Sequence, residues 1–103
     1  MRGGYSILRE IHKKEFTPCS SDYGLTTKEF ENFVFFLENE GYLERVLRVN
    51  DVFSIKAARL TIKGVELLEK LKDYEVSYPE RNNLKAWVQI EKELYSNGAI
   101  EDE

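Results

Sequence analysis

Apolar residues return at intervals of three and four along much of the chain, a spacing typical of helices that bury one face. The pattern predicts four helices, over residues 5–14, 27–40, from 61 to about 74, and 83–96. Between the first two, residues 16–24 are rich in turn formers, and they predict one brief helical turn ended by Gly24 or a stub of strand.

Start and stop signals mark the two inner helices. Thr26 is followed three residues later by Glu29, the capping-box arrangement in which each side chain accepts a hydrogen bond from an otherwise free backbone amide. Gly41 supplies the left-handed residue that ends this helix, and Thr61 is the expected cap of the next one. The first residues of both helices can therefore be predicted from their capping residues.

Between these helices the spacing changes from helical to alternating, which predicts strands. Residues 42–49 and 52–57 combine β-branched and aliphatic side chains with interleaved charges, and Asn50-Asp51 between them is a turn dipeptide. We therefore expect a β-hairpin. One face of its second strand is predicted to carry Phe53, Ile55 and Ala57.

The predicted order of elements is helix, short helical turn, helix, hairpin and helix. This order predicts an α+β fold, a winged helix-turn-helix with a three-helix core, a β-hairpin wing and an additional C-terminal helix. We expect residues 1–103 to form one domain, with the winged helix in residues 5–76 and a helical extension with a frayed tail in residues 77–103. A chain of this length with 42% hydrophobic residues can build one core.

Three short runs carry a resemblance to a known family. The runs are Tyr5-Ser6-Ile7-Leu8-Arg9-Glu10-Ile11, Phe33…Phe36-Leu37-Glu38-Asn39-Glu40-Gly41-Tyr42 and Leu60-Thr61-Ile62-Lys63-Gly64. In order and spacing they resemble the YjcQ family, small winged-helix proteins of bacilli and their phages. The resemblance extends from residue 5 to residue 71, and it implies the winged-helix fold and a prophage-derived origin but no biochemical role.

Charge is segregated along the chain, although the net charge of −4 argues against a strongly basic nucleic-acid binder. Residues 1–20 and 42–60 each carry a net charge of +2, whereas residues 21–41 and 61–103 each carry −4. A local basic face is therefore compatible with the acidic total. The single cysteine suits a reducing compartment, and no apolar run is long enough for a membrane span, so we expect a cytoplasmic protein.

The sequence contains no constellation typical of catalysis or metal binding, and we expect neither an enzyme nor a cofactor. His12 and Cys19 are the sole residues of their types, and His12 lies beside two lysines on a helix face expected to meet solvent. The segment from Thr61 to Gly64 is a helix start rather than a phosphate-binding loop. No small-molecule substrate is indicated.

In a winged helix that binds duplex DNA, the helix before the wing enters the major groove and the wing contacts the backbone. This geometry assigns residues 27–40 to the groove and residues 45–56 to the wing. The predicted contacts are Thr27, Lys28 and Asn32 on the helix and Arg45, Arg48, Lys56 and Arg59 on the hairpin, with Lys13 and Lys14 as an extension. Four carboxylates on the helix oppose phosphate binding, so we expect a weak, salt-sensitive interaction with DNA that is made mainly by the wing. The alternative is that the cations of the hairpin are simply exposed to solvent and bind nothing.

An excess of aromatic residues favours a second function, in protein binding or dimerisation. Four phenylalanines on the second helix exceed one buried stripe, so Phe35 or Phe36 is expected to be partly exposed. Trp87 and Tyr95 lie on a helix that the minimal fold does not need. The sequence thus predicts either a DNA-binding regulator or accessory factor, or an interaction module with Phe35, Trp87 and Tyr95 at its interface. The alternative for these three rings is that they are buried in the core.

Overall fold

The computed structural model describes residues 2–89 of the chain, in an α+β arrangement. Its α-helices and strands are α1 (Arg2–Lys13), α2 (Thr27–Asn39), β1 (Leu43–Glu44), β2 (Leu47–Val49), β3 (Val52–Ser54), β4 (Arg59–Leu60) and α3 (Ile62–Lys70). Short 3-10 helices lie at Ser20–Tyr23, Lys72–Ser77 and Arg81–Asn83. Residues 84–89 are helical, as the sequence predicts for the C-terminal helix, whose predicted remainder lies outside the described residues.

α1 begins at Arg2, earlier than the predicted start at residue 5. The prediction missed this turn because glycine is a poor helix former, and the segment opens with Gly3 and Gly4. A Cβ at Gly3 would lie 3.3 Å from the Phe33 ring, so the glycine permits a close approach of α1 to α2. The predicted brief helical turn is present at Ser20–Tyr23 and ends at Gly24, whose φ is 67°.

The predicted signals at both ends of α2 are confirmed. The Glu29 amide donates to the Thr26 hydroxyl at 3.1 Å, and the Thr26 amide donates to the Glu29 carboxylate at 2.9 Å. At the other end Gly41 has a φ of 87°, and the Tyr42 amide donates to the Leu37 carbonyl at 3.0 Å. This reversal directs the chain from the helix straight into β1.

The predicted β-hairpin is present as two short antiparallel ladders. β2 pairs with β3 around a turn at which Asn50 has a φ of 57°. β1 instead pairs with β4, so that Leu43 lies opposite Leu60 at the entry to α3. We term β2, β3 and their turn the outer hairpin; every residue of β2 is exposed to solvent.

The prediction that the second strand extends to residue 57 is wrong. The chain leaves the ladder after Ser54 and turns, with the Ala58 amide donating to the Ile55 carbonyl at 3.1 Å. This turn shifts the alternation by one residue, so that Ala58 is buried with Ile55 while Ala57 is exposed. The sheet is therefore divided where the sequence predicts a continuous strand.

The core lies between α1, α2 and the inner ladder formed by β1 and β4. Its completely buried aliphatic side chains are Ile7, Leu8, Val34, Leu37 and Leu84. Leu84 comes from the helical segment 84–89, which therefore packs into the same core as α1. The order of elements is compatible with a winged helix. No helix within residues 2–89 has the length and apolar character required to cross a bilayer.

Candidate nucleic-acid interface

One exposed line of polar residues runs along α2. Lys28, Asn32 and Asn39 occupy positions i, i+4 and i+11, so they lie within roughly 40° of one another around the helix axis. All three are exposed, and we term them the polar stripe. Each carboxylate of α2 and of its C-cap lies roughly 80–100° away from the middle of this line. The acids that oppose DNA binding in the sequence thus flank the outward face instead of occupying it.

The predicted helix contacts lie at the surface near the start of α2. Thr27 and Lys28 are in its first turn, Asn32 is one turn further on, and all three are exposed. The Lys28 ammonium can bind an anion such as phosphate here, beside the capping box in which Thr26 and Glu29 bond each other. Asn39 was not among the predicted contacts, although its spacing from Asn32 would have revealed it.

The outer hairpin is fastened to the side of α2 by aromatic contacts. The Phe53 ring meets Phe35 edge-on at 5.7 Å between centroids and Phe30 edge-on at 6.4 Å. On the opposite strand, the Arg48 guanidinium lies 3.7 Å above the Phe35 ring and forms an ion pair with Glu38. These contacts fix the hairpin beside the polar stripe and leave Phe35 half-buried.

The structure divides the predicted hairpin cations into two classes. Arg48 is paired with Glu38, and Arg59 donates to the Glu44 carboxylate at 2.5 Å. Arg45 and Lys56 are exposed and have no ion-pair partner within residues 2–89, and Arg45 has a φ of 65°. The hairpin cations predicted to contact DNA are therefore partly neutralised, because Glu38 and Glu44 lie beside two of them in space.

Apolar side chains are exposed on the outer hairpin and on α2. Val49 and Val52 face each other next to the hairpin turn and are 55% and 57% exposed, and Leu47 is 44% exposed. Of the two phenylalanines expected to reach solvent, Phe36 does so, at 50%, whereas Arg48 covers Phe35. The aliphatic hairpin tip was not anticipated from the sequence, where these residues look like ordinary strand formers.

Comparison with curated proteins finds a distant similarity to a bacterial protein. Over 87 residues the chain is 29% identical to a protein of Bacillus subtilis (strain 168) named "Uncharacterized protein YjcQ", a match that covers 82% of this chain and 92% of that protein. The chain is therefore similar to YjcQ, at low identity, over most of the length of both proteins. The relationship confirms the family resemblance seen in the sequence, and the name of that protein assigns no activity. No protein-family model and no solved structure matches the chain.

The C-terminal aromatic residue Trp87 is buried in the structure and does not lie at the surface. Trp87 is 5% exposed, its ring meets Tyr78 and Tyr74 at 5.2 and 5.8 Å between centroids, and its indole N–H donates to Ser77 at 3.1 Å. Trp87 is predicted to lie at an interface, but its side chain is too buried to contact a partner. Tyr95, the other predicted interface residue of this helix, lies outside the described residues.

A buried polar cluster joins α1 to Tyr23 and to Tyr78. The Ser6 hydroxyl lies 2.9 Å from the hydroxyls of both Tyr23 and Tyr78, and the Tyr78 hydroxyl also donates to Glu10. Burial raises the pKa of both Tyr23 and Tyr78, so the phenols stay neutral hydrogen-bonding groups. The sequence gives no local signal for this cluster, because its partners are far apart along the chain.

Proposed function

We propose that this protein is a winged-helix protein that binds duplex DNA and acts as a regulator or accessory factor. In this proposal α2 lies in the major groove, and the outer hairpin is the wing that follows the phosphate backbone. The observation that carries it is the polar stripe, an exposed line of one lysine and two asparagines that is free of carboxylates.

The chemistry of the polar stripe suits direct base readout. An asparagine amide pairs in bidentate fashion with adenine, and a lysine binds guanine or a phosphate. Asn32 and Asn39 are two helical turns apart, a distance of roughly 10 Å along the axis, which matches about three base-pair steps. Lys28 lies one turn before Asn32, at the end of α2 where the helix dipole also attracts phosphate.

The phosphate contacts in this proposal are few. Arg45 and Lys56 are free to bind phosphate, whereas Arg48 and Arg59 must first leave their glutamates. With Lys28, about three cations are available, so the logarithm of affinity falls with the logarithm of salt concentration with a slope of about −2.7. Between about 50 and 200 mM salt the affinity for random duplex DNA is then expected to fall about 40-fold.

Fluorescence anisotropy with a labelled random duplex tests the proposal. We expect Arg45→Ala to weaken binding for all sequences alike and to reduce the salt slope by about one. Lys70→Ala is the matched control, because Lys70 is an exposed cation at the last turn of α3. Absence of binding at low salt, or equal losses in the two variants, contradicts a specific DNA face.

Self-association is a second candidate function, favoured by the exposed tip of the outer hairpin. Isolated exposed aliphatics are ordinary, but Leu47, Val49 and Val52 are grouped on one short ribbon. Sedimentation velocity of the wild type and of a Val49→Thr/Val52→Thr variant, which keeps the β-branched shape, tests this candidate. A wild-type dimer that the variant loses supports it, whereas a strict monomer leaves only a foreign protein partner.

A further inference from the structure

Phe36 is an exposed aromatic residue beside the polar stripe. It is 50% exposed, and its ring meets the Phe33 ring edge-on at 6.3 Å between centroids, a contact that limits its movement. Around the axis of α2 it lies roughly 40° from Asn32 and roughly 60° from Asn39, and along the axis it lies between them. An apolar ring is therefore placed beside two side-chain amides on the solvent side of α2.

Phe35, the preceding residue of α2, has a different environment. The Arg48 guanidinium lies 3.7 Å above the Phe35 ring, and the Phe53 ring meets it edge-on at 5.7 Å between centroids. Within residues 2–89, no cation lies over the Phe36 ring in this way. Phe35 thus fastens the outer hairpin to α2, whereas half of the Phe36 side chain is open to a binding partner.

The amides beside Phe36 indicate which base pair the ring would meet in the major groove. Asn32 and Asn39 are exposed, and no hydrogen bond in the described part of the chain uses their side chains. Such an amide pairs with adenine, whereas arginine, the commonest partner of guanine, is missing from α2. Every adenine is paired with a thymine, whose methyl group projects into the same groove and is the apolar group among the base edges there. A helix that binds adenine through an asparagine therefore brings its neighbouring side chains close to a methyl group.

We propose that α2 reads A·T base pairs in the major groove and that Phe36 determines part of this specificity by contacting the methyl group of a thymine. The inference rests on the proposed DNA function and names the class of target, duplex DNA rich in A·T pairs. Phe36 follows Asn32 by roughly 6 Å along the helix axis, close to two base-pair steps of about 3.4 Å each. The thymine therefore lies one or two steps from the adenine that Asn32 binds.

Uracil in place of thymine tests this contact, because it lacks the methyl group and keeps every hydrogen-bonding atom of the base. Short duplexes of random A·T sequence are prepared with either thymine or uracil, and their affinities for the full-length protein are measured by fluorescence anisotropy at low salt. We expect the thymine duplexes to bind about fourfold more tightly, the factor for burying one methyl-sized group. Equal affinities overturn the inference, even if A·T duplexes bind more tightly than G·C duplexes, because the minor groove can also provide that preference.

Two variants assign the effect to Phe36. Phe36→Ala is expected to bind thymine and uracil duplexes equally. Ile62→Ala is the matched control, because Ile62 is an apolar residue at the start of α3 that is 82% exposed, and it is expected to keep the difference. A difference that persists in Phe36→Ala overturns the role of Phe36. If that variant disturbs folding, the two duplexes compared on the wild type still decide whether the methyl group is read.

The same measurements separate this inference from the proposed function. Binding to duplex DNA without any distinction between thymine and uracil overturns the reading of thymine and leaves the DNA function intact. Absence of binding to every duplex at low salt overturns both.

Discussion

A methyl group added at Gly64 would clash with the backbone just before β1. Glycine normally destabilises a helix, yet a Cβ here would lie 2.2 Å from the backbone carbonyl oxygen of Tyr42 and 3.2 Å from the Leu60 side chain. That carbonyl also accepts a hydrogen bond from the Thr61 amide at 3.1 Å, so it cannot turn away freely. α3 and the inner ladder therefore pack at a distance that only glycine allows.

The cost of Gly64→Ala follows from this geometry. Real Cβ atoms essentially never approach another atom closer than 3.0 Å, so α3 must move by about 1 Å, a shift typical of overpacking penalties of about 1–3 kcal/mol. The better helix propensity of alanine returns up to about 1 kcal/mol. With a weakened Thr61–Tyr42 hydrogen bond added, we expect a net loss of about 2 kcal/mol in the free energy of unfolding.

Urea denaturation followed by circular dichroism measures this loss. Gly3→Ala is the matched control, because Gly3 is also helical but its nearest neighbour is the edge of the Phe33 ring at 3.3 Å, which can shift slightly. We expect Gly3→Ala to lie between neutral and about 1 kcal/mol more stable than wild type. If Gly64→Ala is as stable as Gly3→Ala, the close packing of α3 against the strand is refuted.

Two further predictions concern charged groups. Glu38→Gln removes the partner of Arg48, so we expect tighter binding to random duplex DNA and a salt slope steeper by about one; unchanged anisotropy titrations would contradict this. Hydrogen bonds from Arg9 lower the pKa of the Glu75 carboxyl, so this group stabilises the fold above its unfolded pKa of about 4.3, and the contribution is lost as pH falls through the lowered value. Urea midpoints of wild type and Glu75→Gln are therefore expected to differ near pH 7 and converge near pH 3; a gap that persists in acid argues against the ion pair.

The parts of the fold that depend on local chemistry could be predicted from the sequence. Threonine caps at 26 and 61 and a left-handed Gly41 set the limits of the inner helices, and each acts through hydrogen bonds to residues only a few positions away. The hairpin was predictable in outline from its alternation. Its division into two ladders was not, because the turn at 55–58 contains no glycine, proline or asparagine and is set by packing instead.

The candidate interface, too, could be predicted from the sequence only where it depends on local spacing. The outward positions of α2 follow from helical spacing, so Lys28 and Asn32 were found at the surface where the sequence predicts them. The neutralisation of Arg48 by Glu38 depends on how the outer hairpin docks against α2, which no local pattern records. Burial of Trp87 likewise depends on the return of the chain to α1, where Arg2 donates to its carbonyl at 3.0 Å.

The account rests on α2 and the outer hairpin presenting one continuous surface to duplex DNA. Mapping amide shifts of the full-length protein during titration with a short duplex at low salt tests this most directly. We predict the largest shifts within residues 27–39 and 45–56, and their disappearance as salt rises. Shifts confined to residues 62–89, or a spectrum unchanged by DNA at low salt, would contradict it.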